Sequence, residues 1–336
     1  MTERVARLRR ESYETPVTIS AERARLITEF YRDNYGRYSV PEMRARAFKY
    51  LCERKTVYIG EDELIVGERG PSPKAVPTYP ELTCHSVEDL KILSTREKTR
   101  YLVSDREIDV YREMIIPYWR GRSMRDRIFR DLPEEWQKAY SAGIFTEFME
   151  QRAPGHTTLD GKFYRRGLLG FREDIKGSIS ALDFLRDPDA TGKLAQLKAM
   201  DIACEAGILF AERHAELAKK MARKERDSSR RRELEIIEAN CRRVPAHAPG
   251  NLWEALQMYW FMHLGTITEL NGWDAMNPGH LDRYLYPFYE KDLADGKLTP
   301  EGAKELLECF WIKFNNHPAP PKVGVTAAES GTYNDF

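Results

Sequence analysis

The stretch from Asn251 to Gly265 constrains this chain most. Leu252, Trp253, Leu256, Met258, Tyr259, Trp260, Phe261, Met262 and Leu264 leave a helix of that length almost no polar face. A helix apolar nearly all round belongs at the centre of a large protein, not on its surface. The residues before it do not obviously supply that much cover. The sequence therefore predicts exposed apolar surface and association for this chain on its own. With 336 residues, one large domain or two ordinary ones can form.

Most of the remaining chain carries helical periodicity. Thr2 to Tyr13 and Ser20 to Tyr35 read as helices, the second with Leu26, Ile27, Phe30 and Tyr31 on one face. Pro41 suits the start of the next helix. Ser86 is a cap followed by Glu88 and Asp89, which favour a helix N-terminus. Asp105 to Asp131, Pro133 to Gly143, Ile175 to Leu185 and Gly192 to Arg243 continue the pattern, with a break near Asp227. Thr299-Pro300-Glu301 opens a further helix, whose apolar stripe reads as Leu306, Leu307, Phe310, Trp311 and Phe314. Short strands are predicted at Val57 to Ile59, Leu64 to Val66 and Lys322 to Ala327. The fold class is mainly α with a few strands.

Several function classes are disfavoured. Lys plus Arg and Asp plus Glu number 53 each, so no net field draws nucleic acid or membrane. The basic run Lys219 to Arg243 is interleaved with Glu225, Asp227, Glu233, Glu235 and Glu238, as a solvated helical hairpin would be. No segment is apolar for long enough to span a bilayer, and the charged N-terminus has no signal-peptide core. The five cysteines are dispersed, with no Cys-x-x-Cys pair, which fits a reducing cytoplasm and argues against a metal or cluster site. Cys84 and His85 are adjacent and so do not face each other. Gly167 to Gly170 does not have dinucleotide-loop spacing, and His280 and Asp282 with Asp274 match no metal-ligand motif.

The chemistry concentrates in three places. In Phe145 to Thr157, Pro154 and Gly155 end a helix near Arg152 and present His156 from a rigid turn beside carboxylates. An imidazole there is a candidate acid, base or donor near neutral pH. Asp274 precedes the Asn277-Pro278-Gly279 turn, where it either braces the turn or faces a ligand. Ser330 to Phe336 has the polar and glycine content of an active-site loop.

Five stretches together resemble the glycyl radical enzymes, the pyruvate formate-lyase-like family. They are Glu150 to His156, Asp62 to Gly70 with Pro77 to Glu81, Glu269 to Leu285, Glu305 to Asn316, and Ser330 to Phe336. The resemblance implies an N-terminal helical region and part of a ten-stranded α/β barrel. It implies anaerobic C–O lyase chemistry on a small hydroxylated substrate, best trans-4-hydroxy-L-proline going to pyrroline-5-carboxylate. Glycerol- or propanediol-type dehydration and formate acetyltransferase-like chemistry are the alternatives within the family. A non-catalytic helical interaction protein is the alternative outside it. Carried over by position, His156 and Asp274 are the catalytic residues, and Ser330, Asp335 and Phe336 bind substrate.

The family's radical sits on a C-terminal glycine, is installed by a SAM- and iron–sulfur-dependent activating enzyme, and acts through a mid-chain cysteine. None of the five cysteines here has the matching Gly-Cys-Val-Glu-like context, and no glycyl-radical motif occurs. Residues 1–336 are therefore expected to form an incomplete, inactive N-terminal part with no bound cofactor. The partners implied are the small substrate, the activating enzyme and a second copy in a homodimer.

Overall fold

The computed structural model describes residues 1–144, 159–269, 277–324 and 327–328. In chain order these form α1 (Glu3–Glu14), β1 (Thr18–Ser20), α2 (Glu22–Asn34), α3 (Val40–Arg54), β2 (Ala75–Pro77), α4 (Val87–Thr95) and α5 (Asp105–Val110). A π-helical turn, Tyr111–Ile115, leads into α6 (Ile116–Trp119), then α7 (Met124–Asp131) and α8 (Glu134–Ser141). The second half holds α9 (Gly161–Ser180), α10 (Ala190–Ala222), α11 (Ser228–Arg243), α12 (Leu252–Glu269), α13 (Leu281–Ala294) and α14 (Pro300–Asn315). Helix dominates, as the periodicity predicts. The helix starts follow the capping residues. Ser86 and Asp89 form a reciprocal capping box, Asp227 accepts from Arg230 N, and Thr299 accepts from Gly302 N.

Among the described residues two apolar cores form. The smaller joins α2 and α3 to Val76, Leu90, Leu93, Tyr101, Tyr111, Ile115 and Trp119. The larger surrounds α12, with Leu256, Met258, Tyr259, Trp260 and Leu264 fully buried among α10, α11, α14 and residues 59–66. This corrects the expectation that α12 lacks cover, because the chain itself encloses it. The driving force is burial, on the order of 1.5–3 kcal/mol for each large apolar side chain. The stripe of α14 also differs from the sequence reading. Ala303, Leu306, Cys309, Phe310, Lys313 and Phe314 are buried, while Trp311 faces outward, 51% exposed.

The strands also depart from expectation. Among the described residues the sheet is a parallel pair, β1 with β2, in the register Thr18 to Ala75 and Ser20 to Pro77. Residues 57–59 and 64–66 are not strands. Their apolar side chains do enter the core, but side chains of α12 take the place of a ladder. Gln257 accepts from Val66 N and donates to Val66 O, each at 2.9 Å. Trp253 and Trp260 donate to the carbonyls of Leu64 (2.8 Å) and Gly67 (2.9 Å). Backbone groups satisfied this way have no need of a neighbouring strand. Residues 322–324 are likewise irregular.

Gly167 lies within α9 at φ 68°, ψ 173°, a region open essentially to glycine alone. The kink lets Leu168 N and Leu169 N donate to the carbonyls of Pro245 and Ala246, at 2.8 and 2.9 Å. A Cβ there would lie 2.5 Å from the His247 carbonyl carbon. Gly167→Ala is therefore expected to cost about 2–3 kcal/mol, from backbone strain and overpacking together. Urea unfolding with an unchanged slope and a lower midpoint is the expected readout, and an unchanged midpoint refutes it.

Candidate active site

His156, Asp274, Ser330, Asp335 and Phe336 lie outside the described residues, as does the helix end expected near Arg152. What the structure describes is how the chain is held as it enters and leaves those segments. Before the first, Tyr140 of α8 accepts from Arg125 at 2.9 Å and packs so closely on Gly324 that a Cβ there would lie 2.8 Å from its hydroxyl. After it, Leu159 is buried with Tyr164 in the larger core. Before the second, the last carbonyls of α12 are gripped by the N-terminal layer. Arg23 donates to Thr268 O at 2.7 Å and to Glu269 O at 3.4 Å, and Tyr79 donates to Ile267 O.

The approach to the third segment is a buried, irregular strap, residues 316–324. It has no ladder, so its polar backbone must be met by other partners. Lys74 N donates to Asn316 O at 3.0 Å, Arg69 to Pro318 O, and Tyr101 to Ala319 O at 2.8 Å. His85 Nε2 donates to Pro321 O at 3.0 Å, and Gly324 N donates to Asp89 at 2.9 Å. Arg96 donates to Ala327 O at 2.7 Å. These partners all come from residues 69–101. The strand predicted at Lys322 to Ala327 is absent from residues 322–324 for this reason, and Gly324 turns the chain at φ 64°. His85 thus works as a backbone tether, and the Cys84 thiol meets only its carbonyl, at 3.7 Å, not its ring.

Behind the strap lies a buried ionic cluster. Lys313 of α14 donates to both Glu63 and Glu68, and His317 Nε2 donates to the second oxygen of Glu68 at 2.6 Å. Gly60 N completes Glu63 at 2.8 Å, and Lys55 donates to Glu68 O at 2.9 Å. Burial raises both carboxyls, opposed by Lys313. Burial alone would lower Lys313, but the two carboxylates outweigh it and raise it. Burial, with Arg69 and Lys313 nearby, pushes His317 well down. We read His317 as neutral, donating its Nε2–H to Glu68 as a hydrogen bond rather than as half of an ion pair.

Sequence reading missed this cluster and the tethers. One signal was available. Lys313 follows Phe310 by three positions, so a charge lies on the apolar stripe of α14 and needs a buried counter-charge. The carboxylates on the 60s loop are near neighbours only in three dimensions. His280 and Asp282, read as structural, fall at the start of α13. Among the described residues no group of acids, histidines and cysteines could hold a metal ion. No described helix is long and apolar enough to cross a membrane.

All five cysteines are free. Burial pushes every thiol up, to about 11 at Cys204 and about 12 at Cys52, Cys84 and Cys309. None is an activated thiolate.

Residues 1–336 match the pyruvate formate lyase-like family. The chain is 49% identical to trans-4-hydroxy-L-proline dehydratase of Clostridioides difficile, over 99% of this chain and 42% of that protein. It is 34% identical to isethionate sulfite-lyase of Oleidesulfovibrio alaskensis, over 88% of this chain and 37% of the relative. The chain thus spans less than half the length of these curated relatives. The solved hydroxyproline dehydratase from C. difficile, with trans-4-hydroxy-L-proline bound, shares the fold at a TM-score of 0.95 and 48% identity, over 100% of this chain and 43% of that one. The B12-independent glycerol dehydratase from Clostridium butyricum gives 0.89 at 28% identity, over 100% and 42%. An irregular strap without a ladder and a 60s loop bonded to α12 side chains give little fold signal in isolation, yet the fold matches that of the solved dehydratases, and with the family match over residues 1–336 the chain belongs to the pyruvate formate lyase-like family.

Proposed function

We propose that residues 1–336 are the N-terminal portion, one incomplete domain, of a glycyl radical C–O lyase that dehydrates trans-4-hydroxy-L-proline. The observation that carries this is the 49% identity, spread over 99% of the chain, to a protein of that activity. In the family the radical is installed on a glycine by an activating enzyme, and it supplies hydrogen abstraction. We place that glycine and the reacting cysteine outside residues 1–336, in keeping with the raised thiols of the five cysteines here. The remaining tasks fall to this chain. His156 protonates the departing hydroxyl, Asp274 pairs with the substrate's cationic nitrogen, Ser330 and Asp335 hold its polar groups, and Phe336 walls the ring. The partners proposed with this reading are the activating enzyme and a second copy, in the cytoplasm.

Glycerol dehydration is the second reading, favoured by the 0.89 TM-score to the glycerol-bound dehydratase. Charge distinguishes the two. Asp274 and Asp335 together suit a substrate bearing a cation, whereas a neutral polyol leaves a buried carboxylate without a partner, at a cost of several kcal/mol. The activated full-length enzyme should therefore turn over hydroxyproline in preference to glycerol. Asp274→Asn is expected to lower kcat/KM at least about tenfold, about 1.4 kcal/mol of transition-state stabilisation, with little change in Tm. Lost stability with normal activity per folded molecule would make Asp274 a turn brace. Equal turnover of glycerol would discard the substrate.

A further inference from the structure

One face of α10 lines a groove of about 560 Å³, closed on its other sides by Val57 and by Arg242 of α11. That volume lies within the ordinary range of small-molecule sites, about 300–1,000 Å³. Its inner side is apolar. Val57 and Leu217 line it with their backs on the larger core, and Leu209 continues the same surface.

The charges around this surface do not cancel. Glu216 is taken by Arg242 at 2.6 Å, and Arg242 is held again by Glu238 at 3.0 Å. Arg213 and Lys220 also line the groove, and neither makes an ion pair among the described residues. They are seven positions apart in α10, so they lie almost on one line of the helix with Cα atoms about 10 Å apart. Leu217 falls between them, about one turn from each. The remaining acid, Glu212, precedes Arg213 directly and so points about 100° round the helix, at the groove's edge.

Arg213 is the better-built end. It is part-buried, and one N–H donates to Cys52 O, in the last turn of α3, at 2.6 Å. That bond orients the guanidinium and uses one of its five donors. A lone carbonyl asks for a donor, not for a charge. Burial lowers the pKa of Arg213, so the charge is held where water compensates it poorly. Glu22, the acid that opposes this shift, is spent on Thr56, accepting from its N–H at 3.0 Å and its hydroxyl at 2.6 Å. An oriented guanidinium beside an apolar surface is a receptor for a carboxylate.

We propose that this groove binds a linear dicarboxylate with an apolar middle. One carboxylate pairs with Arg213, the methylene chain lies on Leu217 and Val57, and the second carboxylate reaches Lys220.

The test is calorimetric titration of residues 1–336 at low ionic strength. Adipate should bind saturably, one per chain, with Kd on the order of 1 mM. Hexanoate, which lacks the second carboxylate, should bind about two- to fivefold more weakly, the worth of one exposed ion pair. 1,6-Hexanediol, of the same length without charge, should not bind. Arg213→Gln keeps a donor for Cys52 O and removes the charge, and should weaken adipate at least about tenfold. Lys220→Gln, on the exposed end, should weaken adipate about two- to fivefold and leave hexanoate unchanged. No saturable heat at about 10 mM adipate, or hexanediol binding as well as adipate, overturns the site. Adipate affinity undiminished by Lys220→Gln overturns the two-cation assignment, and it does so even if Arg213→Gln fails to fold.

Discussion

Lys313→Met is expected to cost about 3–5 kcal/mol of folding stability, the penalty for removing one partner from a buried ion cluster. Lys313 is 3% exposed, as Glu63 and Glu68 nearly are, and it donates to both. Methionine keeps the length and apolar bulk of the stem but strands two carboxylates in the core. For a chain of this size the melting temperature should fall by about 10 °C, at about 2–4 °C per kcal/mol. Adding Glu63→Gln to the variant should recover part of the loss. The pH response gives a second check. Folded-state carboxyl pKa values raised above those of the unfolded chain mean that the folded state binds the extra proton. Stability is then gained on acidification, so the deficit of Lys313→Met should shrink between pH 7 and pH 5. A variant that melts with the parent at pH 7 would show that the cluster contributes nothing.

Legibility in the sequence followed the range of the interactions. Helix starts at Ser86 and Thr299 were readable because a cap acts within one turn, and each is made as expected; the break read near Asp227 is where that residue caps α11. The apolar wrap of α12 was readable as burial, but not the identity of what buries it. That cover comes from α10, α11, α14 and the 59–66 loop, tens to hundreds of positions away in the chain. The strands at 57–59 and 64–66 failed for a related reason. Short apolar runs report burial, and burial does not say whether a ladder or the side chains of Gln257, Trp253 and Trp260 satisfy the backbone. The stripe of α14 was misassigned by about one face because Trp311 is apolar yet outward, while Lys313 is charged yet inward. The tethers of the strap pair residues separated by more than two hundred positions, such as Arg69 with Pro318, and no local pattern announces them. The candidate site residues rest on motif resemblance, and their flanks, not they themselves, are among the described residues.

On the function proposed above, His156→Gln in the activated full-length enzyme is expected to lower kcat by about 10²- to 10⁴-fold, the usual contribution of a positioned acid or base. Pro154 fixes its own φ and Gly155 permits a reversal, so the sequence predicts a short, stiff segment at His156, which lies outside the described residues. Elimination of a hydroxyl needs a proton at the leaving oxygen, and an imidazole is the side chain whose ordinary range spans neutral pH. Glutamine keeps a hydrogen-bond donor of similar reach but has no proton to release. If His156 only holds substrate, Gln should preserve most of the rate and the loss should appear in KM. If it transfers the proton, kcat should collapse and the limb of the pH–rate profile that reports its titration should disappear. Folding should be nearly untouched, since the Lys313 cluster and the α12 core are built from described residues that satisfy and bury one another. A His156→Gln enzyme whose kcat stays within about threefold of the parent, with an unchanged pH profile, would remove His156 from the chemistry and leave proton delivery to Asp274 or Asp335.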